Sequence, residues 1–105
     1  MAQFHMHRNL DALSRNLTPY LLDVQCNLLD ELATRVVVPL RRVGAYSGKP
    51  MTTLMPCFRV EGEDFLALTQ QLAAISKKQI GVAVLDVTDR RAEVLGALDF
   101  LISGF

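Results

Sequence analysis

Two histidines, two cysteines and three pairs of basic residues are the side chains of this 105-residue sequence whose types and spacing could do chemistry. His5-x-His7 places two imidazoles on one face of an extended segment, and imidazole is a common metal ligand. A zinc site needs further ligands, and no cysteine or carboxylate stands at ligand spacing from this pair. The two histidines therefore read as the solvated polar face of a first strand. Cys26 and Cys57 are too few for a disulfide framework and read as small buried apolar residues. A Cys–His nucleophile pair is possible in space but has no local signature here. Asp23, Asp30, Glu31, Glu61, Glu63 and Asp64 follow no pairing motif and read as turn and surface residues. Arg41-Arg42, Lys77-Lys78 and Arg90-Arg91 would bind phosphate if the fold brought them together; separately they read as solvated surface. The six glycines are scattered and form no phosphate loop. No catalytic residue, no metal site and no cofactor is expected.

The composition narrows the function classes further. Half of the residues are hydrophobic and 21% are charged, as in an ordered globular chain. At this length one domain over residues 1–105 is expected. Eleven basic residues balance eleven acidic ones, which argues against a dedicated nucleic-acid binder. No apolar run approaches the roughly 20 residues that span a bilayer. The first eight residues lack a basic head followed by an apolar stretch, so a cytoplasmic protein without a membrane partner is expected.

The elements that must position these residues are mostly strands. Phe4–Arg8 alternates apolar and polar side chains, a period of two. Asn9–Pro19 is polar and reads as a loop. Tyr20–Cys26 is the next strand, with Tyr20, Leu22, Val24 and Cys26 on one face and Asp23 and Gln25 on the other. Asn27–Glu31 breaks that pattern and leaves Leu28 and Leu29 near the surface of a connection, as either a core plug or a contact patch. Arg35–Leu40 contains three consecutive valines, which suit a pleated sheet. Pro39 has no N–H to donate, so this strand ends there, lies at an edge or carries a bulge. Arg41–Pro50 is loop-like. Leu54–Val60 and Phe65–Thr69 flank Glu61-Gly62-Glu63-Asp64 as a hairpin. Gln70–Lys78 fits either a short helical turn or a loop. Ile80–Leu85 reads as a buried strand.

The clearest helix is the last element. Thr88 and Asp89 offer capping oxygens, and Val94, Leu95, Leu98, Leu101 and Ile102 recur at helical spacing. Phe100 lies off that stripe. Gly104 can supply the left-handed stop. The whole reads as a mainly β fold, a mostly antiparallel and strongly bent or barrel-like sheet plus one C-terminal helix. Its apolar run Phe100–Phe105 is either docked or displayed to a partner.

These residues resemble a known family. Gln3-Phe4, Leu22-Asp23-Val24-Gln25 and Val36-Val37-Val38-Pro39-Leu40 are similar to the first half of the CcdB toxins. Leu54-Met55-Pro56, the hairpin through Val60-Glu61-Gly62-Glu63, the step into Ile80-Gly81 and the final helix are similar to the second half. The resemblance implies an SH3-like barrel of the CcdB and MazF toxin type, with an extra small sheet, in a homodimer. It implies a non-enzymatic toxin of a type II toxin–antitoxin module. Such a toxin binds the DNA gyrase A subunit, traps gyrase on cleaved DNA and is neutralised by a CcdA-like antitoxin. It meets operator DNA only through the antitoxin complex. The gyrase contacts carried over from the family fall on Leu28, Leu29, Asp99, Ser103, Gly104 and Phe105. The family typically ends in tryptophan, glycine and isoleucine, where this sequence has Ser103, Gly104 and Phe105, and it has no tryptophan anywhere. Two alternatives stay open. One is a MazF-like ribonuclease built on His5, His7, Arg41 and Arg42. The other is a non-toxic homologue that binds antitoxin but not gyrase.

Overall fold

The alternation of apolar residues along the chain becomes a single curled sheet in the computed structural model, which describes residues 2–104. Its strands are β1 (His5–Asn9), β2 (Tyr20–Asp23), β3 (Thr34–Arg42), β4 (Cys57–Val60), β5 (Glu63–Ala67), β6 (Ala73–Ser76) and β7 (Ile80–Asp86). The order is β4-β5-β3-β2-β1-β7, with β6 also paired to β3, and every pairing is antiparallel. One helix, α1 (Arg91–Ser103), closes the chain. This is a mainly β half-barrel with a C-terminal helix, the architecture expected from the pattern and the resemblance.

Register aligns the core. Met6 opposes Leu22, and Leu22 opposes Val38, so three adjacent strands send apolar side chains into the same interior. Phe58, Phe65 and Val94 of α1 fill the rest of that core. A one-residue slip in any of these strands would move the whole set to the wrong face. On the other face Leu21, Val37 and Ile80 form a smaller cluster with Ile75. β2 is consequently buried on both sides along its whole length.

β3 runs through Pro39 rather than ending there. Thr34–Val37 pairs with β6 and Leu40–Arg42 pairs with β5 along the same edge. Pro39 sits where the neighbour changes. Its carbonyl accepts from the Leu68 N–H at 2.9 Å, and its missing N–H falls in the gap between the two partners. The β4–β5 hairpin turns on two residues, Glu61 (φ 49°) and Gly62 (φ 85°), the pair of left-handed conformations that matches strand twist. Glu63 and Asp64 thus belong to β5, not to the turn.

Several expectations are corrected. The extra small sheet is joined to the main one: β6 pairs with β3, so its strands belong to a single 7-stranded sheet. β7 is an edge strand, paired only to β1, so Val82 and Leu85 are exposed instead of buried. The segment 70–78 contains the short strand β6, which its weak pattern did not reveal. Neither Thr88 nor Asp89 caps α1. Asp86 instead accepts from the Thr88 N–H at 2.9 Å and the Thr88 hydroxyl at 2.6 Å, ordering the turn before the helix. On α1 itself Val94 and Ala97 are buried, whereas Ile102 is exposed and Phe100 packs with Leu101 on Leu54, Met55, Leu66 and Leu68. The two inward faces of this helix therefore serve two different clusters. Gly104 does adopt the left-handed stop, at φ 78°.

Candidate functional site

The reactive residue types do not converge. His5 lies 3.5 Å from Asp86 at the sheet edge. His7 is buried, contrary to its reading as a solvated residue, because it points to the face opposite Met6, where Leu21 and β7 cover it. Its Nδ1 sits 3.0 Å from the Gly81 carbonyl, and a carbonyl only accepts, so Nδ1 carries the proton. Arg42 pairs with Glu63 at 2.8 Å and stacks over Phe65. Arg41 and Arg42 lie two strands away from His5 and about 15 Å along the sheet at strand rise. The four residues of the ribonuclease alternative share no site.

The basic pairs are likewise dispersed. Lys77 meets Asp30, Arg90 pairs with Glu93 at 2.6 Å and stacks on Phe58, and Arg91 lies over Phe4. Arg90 and Glu93 shift each other by their hydrogen bond, the guanidinium upward and the carboxyl downward. Cys26 and Cys57 are both free and exposed, not buried, since each lies where its strand faces solvent or ends. Among the described residues no group of three or more metal-ligating side chains comes together.

The described residues carried over from the resemblance lie on exposed surface. The connection between β2 and β3 begins with a short 3-10 turn, Asn27–Leu29, and it displays leucines. Leu28 is 91% exposed, and Leu29 and Leu32 are each half exposed. Leu13, in the connection between β1 and β2, is 97% exposed as well, so it is the grouping of Leu28, Leu29 and Leu32 on one connection, not one exposed leucine, that sets this surface apart. The far end of α1 also displays an apolar side chain. Ile102 is 82% exposed, and Asp99, Ser103 and Gly104 are exposed beside it. The Ser103 hydroxyl donates to the Asp99 carbonyl at 2.7 Å, so it is turned back onto its own helix. Phe105 lies outside the described residues.

The two contact regions do not meet within one chain. Asn27 lines a surface depression with Thr88 and Arg91, at the start of α1. Ser103 is twelve residues further along the helix, about 18 Å at helical rise. Leu28 and Leu29 therefore stand near one end of α1, and Asp99, Ser103 and Gly104 near the other.

Pattern reading missed the residues beneath the leucine connection. Asp23 is fully buried, although it read as surface, and Gln25 is nearly so. Arg35 is also fully buried. Its Nε donates to Asp23 Oδ2 at 2.8 Å and its Nη2 to Asp23 Oδ1 at 2.9 Å, a two-pronged pair. The signal was present in the register: Asp23 opposes Val37, so Arg35 is its diagonal neighbour on the face that carries Leu21 and Val37.

A curled antiparallel sheet with one C-terminal helix, and exposed apolar side chains on the β2–β3 connection and at the end of the helix, describe a small half-barrel domain. The family model described as CcdB protein matches residues 3–104, nearly the whole sequence. The chain belongs to the CcdB family, whose members are toxins of toxin–antitoxin modules.

Proposed function

We propose that this chain, acting as one domain over residues 1–105, is a non-enzymatic toxin that binds the A subunit of bacterial DNA gyrase and traps the cleaved complex. A CcdA-like antitoxin neutralises it, and operator DNA is met only through that antitoxin. The toxin acts as a homodimer in the cytoplasm, where gyrase works. The observation that carries the reading is the exposure of Leu28 and Ile102 on a chain of this family. Leu28, Leu29, Asp99, Ser103, Gly104 and Phe105 form the gyrase contact, and the helix-length separation of the two regions within one protomer supports a contact assembled from two copies. Near-zero net charge and solvent-facing apolar side chains suit a protein partner better than a polyanion. No helix of the described residues is long and apolar enough to cross a membrane.

Ser103 stands where the family typically has tryptophan. Tryptophan anchors often dominate an interface, so binding weaker than a tryptophan-bearing toxin's is expected. The test is purified protein titrated into gyrase and supercoiled DNA, with cleaved DNA measured after protein removal. Accumulation of cleaved DNA, relieved by antitoxin, supports the reading. Antitoxin binding without any gyrase binding would instead mark a homologue that has lost its target.

A further inference from the structure

The connection that displays Leu28 is exposed, yet it is tied down more heavily than a surface loop requires. Loops are ordinarily the mobile part of a fold. Here Arg35, with no solvent exposure, reaches out of β3 and holds both limbs of the connection. Besides the pair with Asp23, its Nη2 donates to the Gln25 carbonyl at 3.0 Å and its Nη1 to Asp30 Oδ1 at 3.2 Å. Gln25 adds a second brace. Its side-chain amide donates to the Leu29 carbonyl at 3.1 Å, and its Oε1 accepts from the Val36 N–H at 3.0 Å. From outside, Lys77 donates to the Asp30 carbonyl, and the Gln3 N–H donates to Asn27 Oδ1 at 2.9 Å. The ties land on Gln25, Asn27, Leu29 and Asp30, on both sides of Leu28, which itself touches nothing that would bury it.

A buried ion pair is seldom retained for stability alone, because hydrophobic replacements of like volume often match or exceed it. In some folds such a pair specifies one arrangement. We propose that the Arg35–Asp23 pair is a positioning device: it fixes the β2–β3 connection so that Leu28 and Leu29 are presented preorganised to the partner. Ordering a contact loop beforehand removes that entropy cost from binding. The inference rests on the gyrase reading above and deepens it, since it assigns a role at the same contact to residues that never touch the partner.

The test uses the full-length double variant Asp23→Leu/Arg35→Met, which exchanges the pair for apolar side chains and keeps the core filled. Arg35→Lys, which retains the charge but not the two-pronged geometry, serves as a second variant should the first fail to fold. Two quantities are read on each: amide hydrogen exchange, and affinity for purified gyrase A subunit. Expected is exchange faster by about tenfold or more at Leu29, Asp30 and Leu32, whose N–H groups bond within the connection, with the amides of Leu40, Arg41, Arg42 and β5 unchanged. Gyrase A affinity falls by about tenfold or more, and adding Leu28→Ala to the variant costs less than it does in the parent, because a loosened leucine is already lost. Unchanged exchange in the connection overturns the proposal, as does faster exchange with full affinity. If the parent chain does not bind gyrase A, the gyrase reading falls and the exchange result alone decides whether Arg35 orders the connection.

Discussion

At the scale of single residues the clearest device outside the contact regions is the set Tyr20, Glu61 and Arg8. The Tyr20 hydroxyl donates to Glu61 Oε1 at 2.7 Å, and Arg8 donates to both oxygens of the same carboxylate. Glu61 holds the turn of the β4–β5 hairpin, so these bonds fasten the hairpin tip to β1 and β2. Burial pushes the Tyr20 phenol above its ordinary value, and the neighbouring carboxylate adds to this. The Tyr20 hydroxyl, followed by Arg8, holds Glu61 below the usual glutamate value. The two shifts act at opposite ends of the pH scale. A lowered carboxyl contributes stability above its unfolded value near about 4.3, and that contribution fades as pH falls through the folded value. A raised phenol contributes below about pH 10 and loses the contribution as pH rises through its folded value. Glu61→Gln should therefore flatten the acid limb of a melting-temperature profile, and Tyr20→Phe the alkaline limb. Thermal unfolding followed across the pH range checks both, and limbs identical to the parent's would contradict the assignment. The contact residues follow a different rule. Leu28→Ala removes a side chain that is 91% exposed, so stability should stay within about 0.5 kcal/mol of the parent while gyrase A binding weakens.

Among the elements, α1 carries an avoidable weakness. Gly96 lies in the middle of the helix, and a Cβ built there would meet no atom within 4 Å. Alanine at this position keeps the helical geometry and removes the entropy cost of glycine, so Gly96→Ala should stabilise the chain by about 1 kcal/mol. Val94→Ala should act oppositely, by roughly 1–3 kcal/mol, because Val94 is buried between the helix and the sheet. Chemical denaturation of both variants checks the pair, and a stabilised Val94→Ala would contradict the packing. The alternating strands β1 and β2 and the valine run of β3 were legible in the sequence, as were the two-strand hairpin and the helix with its glycine stop. β7 was misread because a continuous apolar run looks alike whether it is covered or forms an edge. The Asp23–Arg35 pair was unreadable from spacing, since its partners stand on different strands and only the register brings them together. Leu28 and Leu29 were placed correctly at the surface because the break in alternation left them no core to enter. The separation of the two contact regions depends on where α1 lies across the sheet, which local pattern does not encode.

For the whole molecule, the arithmetic of charge and exposure bears on association. Eleven positive and eleven negative residues leave no net repulsion between copies at neutral pH. The edge strand β7 shows Val82 and Leu85 to solvent, and an open apolar edge is a surface that proteins usually cover or charge. A homodimer, as proposed, is one way to cover such an edge and to bring Leu28 of one copy and Ser103 of the other onto one surface. Such a dimer couples folding to concentration, because the folded state is favoured by association and the unfolded state is not. The melting temperature should therefore fall by several degrees on about hundredfold dilution. Sedimentation at the higher concentration should give twice the 11.7 kDa chain mass. A melting temperature independent of concentration, together with the mass of one chain, would remove the dimer. It would also remove the means of uniting Leu28 with Ser103, since about 18 Å of helix separates their ends in each copy. A single gyrase surface would then have to span both regions of one protomer, and Leu28→Ala and Ile102→Ala would weaken binding additively instead of cooperatively.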